Sequence, residues 1–119
     1  MIVFDIYQHL SKDLEIQAMV GDRIYPVKLP QDPTYPAITY FQVSGSPIYT
    51  KQGKYGVVLR VQISCWAKSY TVVKQLATKV ILAMEGYTKE NFNQNEFDIY
   101  EDEAEVYQVP LDFNIFAKE

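Results

Sequence analysis

Cysteine, histidine and long apolar runs are scarce in this sequence, and their scarcity excludes several classes of protein. The single cysteine, Cys65, excludes an intramolecular disulfide framework and a zinc site built on cysteines. The single histidine, His9, leaves no second imidazole for a metal ion. No apolar run approaches the ~20 residues that span a bilayer. No basic segment followed by an apolar one opens the sequence, so we expect no signal peptide, no membrane association and a cytoplasmic protein.

The composition is that of one folded domain. The chain has 119 residues, of which 48% are hydrophobic, and its aromatic residues comprise 10 tyrosines, 6 phenylalanines and 1 tryptophan. This apolar content argues against disorder, and a chain of this length can bury one core without disulfides. We therefore expect a single domain over residues 1–119.

Charge is unevenly distributed along the chain. The net charge of −4 argues mildly against a nucleic-acid-binding protein. Residues 1–89 hold ten bases and six acids, a balance of +4, whereas residues 90–119 hold one base and nine acids, a balance of −8. A small domain with ends of opposite charge can associate head to tail with copies of itself. The alternative is that the acids simply form a solvated turn.

Apolar periodicity predicts two helical regions. Residues 2–20 repeat apolar side chains at three- and four-residue spacing and end at Gly21. Ser11 could interrupt this region and cap a second short helix. The second region, Ser69–Glu85, has a broad apolar stripe, with Ser69 as its N-cap and Gly86 at its end.

Alternating patterns predict strands between and after these helices. The clearest is Val57–Ala67, where every second residue is apolar, and Pro110 in the last strand indicates an edge position or a bulge. The other extended segments are 22–30, which is short and irregular, and 37–44, 97–100 and 105–116. The order of elements predicts an α+β fold: an antiparallel β-sheet of about four to five strands with two helices packed on one face.

Three groups of residues are candidates for interaction surfaces. Residues 45–56 form either a long mobile loop or the tip of a long hairpin, with candidate contact residues Ile48, Tyr49, Lys51, Lys54 and Tyr55. The sheet face opposite the helices is half-polar and is expected to be exposed to water or a partner, through Arg60, Gln62, Ser64, Asp112 and Asn114. A third group is the acidic turn Glu101, Asp102, Glu103 and Glu105.

No catalytic or metal site is predicted from these residues. Cys65 falls on the apolar face of its strand, which is typical of a core residue, although His9 on the first helix could approach it. Asp5 and His9 share a helical face, as an ordinary surface pair does. The acidic turn lacks the spacing and glycine of an EF-hand, and no phosphate-binding loop is present. We expect no enzyme activity and no cofactor.

Six segments in order carry a resemblance to a known family. They are Val20–Pro26, Leu29–Gln31, Tyr35–Tyr40, Val43–Pro47, Arg60–Ala67 and Leu111–Phe116. In this order and spacing they resemble the tail completion, or tail terminator, family of long-tailed phages and prophages. The resemblance runs from about Val3 to Lys118 and departs most between Glu85 and Glu105.

The resemblance implies a structural function. It implies a small α+β subunit that forms a ring, usually a hexamer, which caps the head-proximal end of the tail tube and stops tube polymerisation. The implied partners are other copies of the chain, the major tail tube protein and a head-completion or connector protein. DNA would pass through the ring without sequence-specific binding. The implied location is the host cytoplasm during assembly and then the tail and neck of the virion.

In this ring, the acidic turn and the basic part of the chain would form complementary subunit patches. The segment 45–56 would contact the tube or a neighbouring subunit, and the half-polar sheet face would line the bore. Alternatives are another neck or minor tail subunit of the same fold, a module that binds a small molecule between helices and sheet, and a small enzyme using Cys65 and His9.

Overall fold

The computed structural model describes residues 2–87 and 91–118, which fold into three helices packed against one six-stranded sheet. In chain order the elements are α1 (Ile2–Lys12), α2 (Leu14–Val20), β1 (Ile24–Pro26), β2 (Ala37–Thr50), β3 (Gly53–Ala67), α3 (Tyr70–Glu85), β4 (Asn91–Glu96), β5 (Ile99–Glu101) and β6 (Val106–Lys118). The predicted α+β class is confirmed.

The sheet has the order β1-β2-β3-β6-β4, with β5 also paired to β6. Strands β2, β3, β6, β4 and β5 pair antiparallel, whereas the short β1 runs parallel to β2, so the sheet is mixed. It has six strands rather than the four to five expected, because β4 was not predicted. The sequence of β4, Asn-Phe-Asn-Gln-Asn-Glu, is rich in asparagine, which is depleted in strands.

Local signals set the ends of the helices. The carboxylate of Asp13 accepts hydrogen bonds from the amides of Glu15 and Ile16, both at 3.0 Å, and so caps α2. The prediction that Ser11 caps this helix is wrong, because its hydroxyl donates to the carbonyl of Tyr7 at 2.7 Å inside α1. The predicted N-cap Ser69 of α3 and its end at Gly86 are confirmed.

The core lies between the helices and one face of the sheet. Alternate residues of β3 and β6 point to this face, as the sequence pattern predicted. Buried side chains from the sheet are Ile38, Val61, Ile63, Cys65, Val109, Leu111, Phe113 and Ile115; they pack against Ile6, Leu10, Ile16, Val20, Val73, Leu76 and Val80 of the helices. The core therefore takes up one face of β3 and β6, and the opposite face of these strands lies outside it.

Pro110 lies within β6, which has β3 on one side and β4 and β5 on the other. The expectation that this proline marks an edge strand or a bulge is therefore wrong. On one side it is opposite Ser64 of β3 in a continuous register. On the other side, β4 ends at Glu96 and β5 begins at Ile99. Neither strand pairs with residue 110, so a proline here removes no hydrogen bond to β4 or β5.

Candidate functional site

Residues 45–56 form the distal part of a long β2–β3 hairpin. The hairpin interpretation is confirmed and the mobile-loop interpretation is wrong, since the two strands remain paired up to Thr50 and Gly53. The hydroxyl of Thr50 accepts from the amide of Gln52 at 3.2 Å, and Gly53 has a φ of +114°, which favours glycine. Only Lys51 and Gln52 lie between the last paired residues. The turn is therefore short and presents its side chains at the end of a ribbon.

The end of this hairpin is aromatic and basic. We call residues 48–55 the hairpin tip. Tyr49 is 68% exposed and Tyr55 is 40% exposed, with the ring of Tyr55 6.0 Å from that of Phe116. Lys51 and Lys54 are exposed, Ile48 is half-buried, and residues 45–56 contain no acid. All five predicted contact residues therefore lie on one projecting element.

The half-polar sheet face is less exposed than the sequence indicated. Arg60, Gln62 and Asn114 are partly exposed, but Ser64 and Asp112 are 2% and 3% exposed. The expectation that all five residues are exposed is therefore wrong for these two. Ser64 is covered by longer neighbours, because its hydroxyl accepts from the amides of Gln62 at 3.2 Å and Gln108 at 3.1 Å.

Asp112 forms an ion pair with Arg60 across β6 and β3. The Nη2 atom of Arg60 lies 2.7 Å from Oδ2 of Asp112. The second carboxylate oxygen, Oδ1, and the Nε atom of Arg60 are buried, and neither has a hydrogen-bond partner in the described chain. The side chain of Arg60 is 43% exposed, whereas that of Asp112 is 5% exposed. The guanidinium of Arg60 therefore lies at the surface of this face, with the carboxylate of Asp112 buried beneath it. The two charges offset each other.

The acidic turn joins β5 to β6 and stays at the surface. Glu101, Asp102, Glu103 and Glu105 are all exposed, and none forms an ion pair with another residue of the described ranges 2–87 and 91–118. The turn is tethered by Lys68, whose Nζ donates to the carbonyl of Ala104 at 2.9 Å. Four carboxylates lie within five residues and repel one another, and the ammonium of Lys68 offsets part of this repulsion. A further cation from outside would still be favourable here.

A groove of about 700 Å³ lies beside this turn. We call it the acidic groove. Its apolar walls are Leu29, Tyr35, Trp66 and Val106, and its rim carries Glu101, Asp102 and Glu103. Sequence reasoning identified the acids but missed the aromatic residues Tyr35 and Trp66 beside them, because the lining of the groove comes from three distant segments of the chain. No local pattern signals such a groove.

A second groove, of about 350 Å³, lies between α1, β1 and β2. Its lining is mainly apolar, from Val3, Phe4, Pro26, Val27, Tyr40 and Phe41, with Gln42 beside them. This is the kind of position, between helix and sheet, that the small-molecule alternative requires. It holds no charged side chain that would orient a ligand.

The two residues considered for catalysis have other surroundings. Cys65 is fully buried, and burial raises the pKa of its thiol, which disfavours the nucleophilic thiolate. His9 has its Nε2 atom 2.7 Å from the carbonyl oxygen of Ala83, and its ring packs against Tyr87 at 5.2 Å. His9 thus joins α1 to the end of α3. In the part of the chain that the structure describes, no three metal-ligating side chains converge.

None of the helices within residues 2–87 and 91–118 is long and apolar enough to cross a membrane. A comparison with curated protein sequences gave no match.

The fold and the sequence both have known counterparts. Among solved structures, a chain from the virion of a native gene transfer agent particle superposes with a TM-score of 0.75, covering 96% of this chain and 92% of that one at 16% identity. At that identity the likeness shows a shared fold. The family model described as "Tail completion protein gp17" matches residues 5–118, nearly the whole chain. The chain therefore belongs to the tail completion protein gp17 family, and its role is a structural one in a phage tail.

Proposed function

We propose that copies of this chain form a ring, a hexamer in the simplest case, which caps the head-proximal end of the tail tube. The ring ends tube polymerisation and offers its other face to the head-completion or connector protein. The observation that carries this proposal is the family match over residues 5–118. The fold supports it, since a virion chain of the same fold superposes over most of both chains.

The distribution of charge supports assembly into a ring. Rings form through heterologous contacts, in which two different patches of the same subunit meet around a closed rotation. The subunit is elongated, with extents of 51 × 29 × 23 Å, and its basic hairpin tip and acidic turn lie on separate parts of the sheet. These are two different patches of opposite charge, as a heterologous contact requires.

The half-polar sheet face is our candidate for the wall of the bore through which DNA passes. A bore must not hold phosphates tightly, because DNA has to move through it. Arg60 would attract phosphates, but its ion pair with Asp112 at 2.7 Å reduces that attraction. Gln62 and Asn114 add neutral polar surface on the same face. The balance is set by the buried carboxylate of Asp112 rather than by exposed acids.

We propose that the chain acts without catalysis and without a cofactor. Its partners would be other copies of itself, the major tail tube protein and a connector protein of the head. Assembly would take place in the host cytoplasm, before the ring becomes part of the tail and neck of the virion. The burial of Cys65 is consistent with a purely structural role.

The test is electron microscopy of particles from an induced host that lacks this gene. The proposal predicts tails of uncontrolled length beside separate heads without tails, and a return to joined particles when the wild-type gene is supplied. Joined virions of normal length in the deletion host would overturn it. Normal tail length combined with another defect would instead favour a different neck or minor tail subunit of this fold.

A further inference from the structure

We propose that the hairpin tip of one subunit seats in the acidic groove of the next subunit. This inference rests on the proposed ring and assigns its subunit contact to named residues. The occupant of the groove is a second copy of this chain, which contributes its basic hairpin tip, while the first copy contributes its acidic turn.

The tip of a subunit cannot reach its own groove. Strand β3 begins at Gly53 in the hairpin tip and reaches Trp66 in the wall of the groove. At about 3.3 Å per residue, these 13 steps separate the two surfaces by roughly 43 Å. The longest extent of the molecule is 51 Å, so they lie near its opposite ends. A contact between them therefore joins two copies head to tail, which produces a ring when the rotation closes.

The charges of the two surfaces are complementary. The groove rim carries Glu101, Asp102 and Glu103, which have no ion-pair partner in the described residues. Residues 45–56 hold two lysines and no acid, and Lys51 lies at the turn itself. Bringing Lys51 to the rim would neutralise carboxylates that repel one another, and would exclude the reverse pairing of rim with rim.

The apolar surfaces also match. Tyr49 is 68% exposed, which is high for a large aromatic side chain, and Tyr55 adds a second ring to the tip. The groove offers Leu29, Trp66 and Tyr35, and the Nζ atom of Lys68 already lies 5.3 Å from the centre of the Tyr35 ring. The volume of the groove, about 700 Å³, is within the range of ligand pockets. A tyrosine buries its ring and keeps its hydroxyl for a polar partner at the rim, as anchor residues of interfaces commonly do.

Cysteine cross-linking in assembled particles tests the contact directly. The variant Gln52→Cys/Ala104→Cys places one thiol at the turn of the tip and one beside the groove, at exposed residues that do not carry the contact. It is supplied to the induced deletion host, and particles are oxidised and separated by denaturing electrophoresis without reductant. The expected result is a ladder of covalent multimers larger than dimers, because each subunit is linked on two sides. The matched control is Gln52→Cys/Leu82→Cys, since Leu82 is 55% exposed on α3, outside the groove. It should give no ladder.

Charge exchange provides a second, independent measurement. The Lys51→Glu variant replaces an attraction by a repulsion and should weaken subunit association about tenfold, the change expected for about 1.4 kcal/mol. Asp102→Lys should do the same, and the two substitutions together should restore assembly. Association is measured as the yield of joined particles per induced cell.

Failure of this inference differs from failure of the proposed function. Joined particles that contain the Gln52→Cys/Ala104→Cys protein but show no ladder, or the same ladder as the control, would overturn the tip-in-groove contact and leave the terminator role standing. If wild-type protein supplied to the deletion host does not restore joined particles, the terminator role itself is wrong. The contact is also overturned if the double variant Lys51→Glu/Asp102→Lys gives no more joined particles than either single variant.

Discussion

Replacing Arg60 by methionine removes the cation beside the buried carboxylate of Asp112 and keeps a long apolar side chain. In the wild type, Nη2 of Arg60 lies 2.7 Å from Oδ2 of Asp112, which is 3% exposed. After the substitution, the carboxylate remains buried with no cation, and its other oxygen already lacks a hydrogen-bond partner. The native state must then bear the desolvation of an uncompensated charge.

The size of the effect follows from the position of the pair. Exposed ion pairs contribute roughly 0.2–1 kcal/mol, whereas breaking a buried pair costs roughly 3–5 kcal/mol. The side chain of Arg60 is 43% exposed and that of Asp112 only 5%, so this pair lies between the two cases. We expect Arg60→Met to lower the free energy of unfolding by about 2 kcal/mol, and the melting temperature by about 8 °C for a chain of this size.

The assay is urea unfolding at pH 7, followed by the fluorescence of Trp66, the single tryptophan. Asp112→Asn is the matched variant, because an amide oxygen still accepts from Arg60 and carries no charge. We expect Asp112→Asn alone to change stability by less than about 1 kcal/mol. The double variant should be more stable than Arg60→Met, since removing the buried charge removes the penalty. A double variant no more stable than Arg60→Met would refute this reasoning.

Three further predictions concern stability and reactivity. Hydrogen bonds from Tyr70 and Lys74 lower the pKa of Asp98. The ionised carboxylate therefore stabilises the folded state above the ordinary carboxyl pKa of 3.8, and this stabilisation is lost as the pH falls below it. Asp98→Asn should therefore reduce the fall of the urea midpoint at acid pH. The thiol of Cys65 should react with a thiol reagent only at the rate of unfolding, and fast labelling of the native protein would contradict its burial. Asp13→Ala should cost about 1 kcal/mol in urea unfolding, because α2 loses its N-cap, and an unchanged midpoint would contradict the capping role.

Much of the fold could be predicted because its signals are local. The alternation in Val57–Ala67 and the stripe of Ser69–Glu85 both depend on neighbouring residues, and Ser69 and Gly86 mark a helix by their own chemistry. Strand β4 could not be predicted in this way. Its asparagines disfavour a strand, and pairing with residues 111–115 of β6 overrides that preference.

The candidate site was predicted less well than the fold. The composition of residues 45–56, with glycines and a proline, suits a loop and a hairpin equally, and only pairing with β3 decides between them. The burial of Ser64 and Asp112 depends on which long side chains cover them. The alternating pattern shows on which face of the sheet a residue lies, but not what covers it. The acidic groove combines side chains from residues 29–35, 66 and 101–106, so no window of sequence contains it.

The position of β6 affects how the chain can be synthesised and folded. This strand follows all the others in the sequence, yet it lies between β3 on one side and β4 and β5 on the other. During translation, β3 therefore has a bare edge, and β4 and β5 have no partner, until residues 106–118 emerge from the ribosome. Pairing over such sequence separation is slow, and bare strand edges join to other chains. Rapid overproduction should therefore favour aggregation of nascent chains, whereas slower synthesis at low temperature should raise the soluble yield.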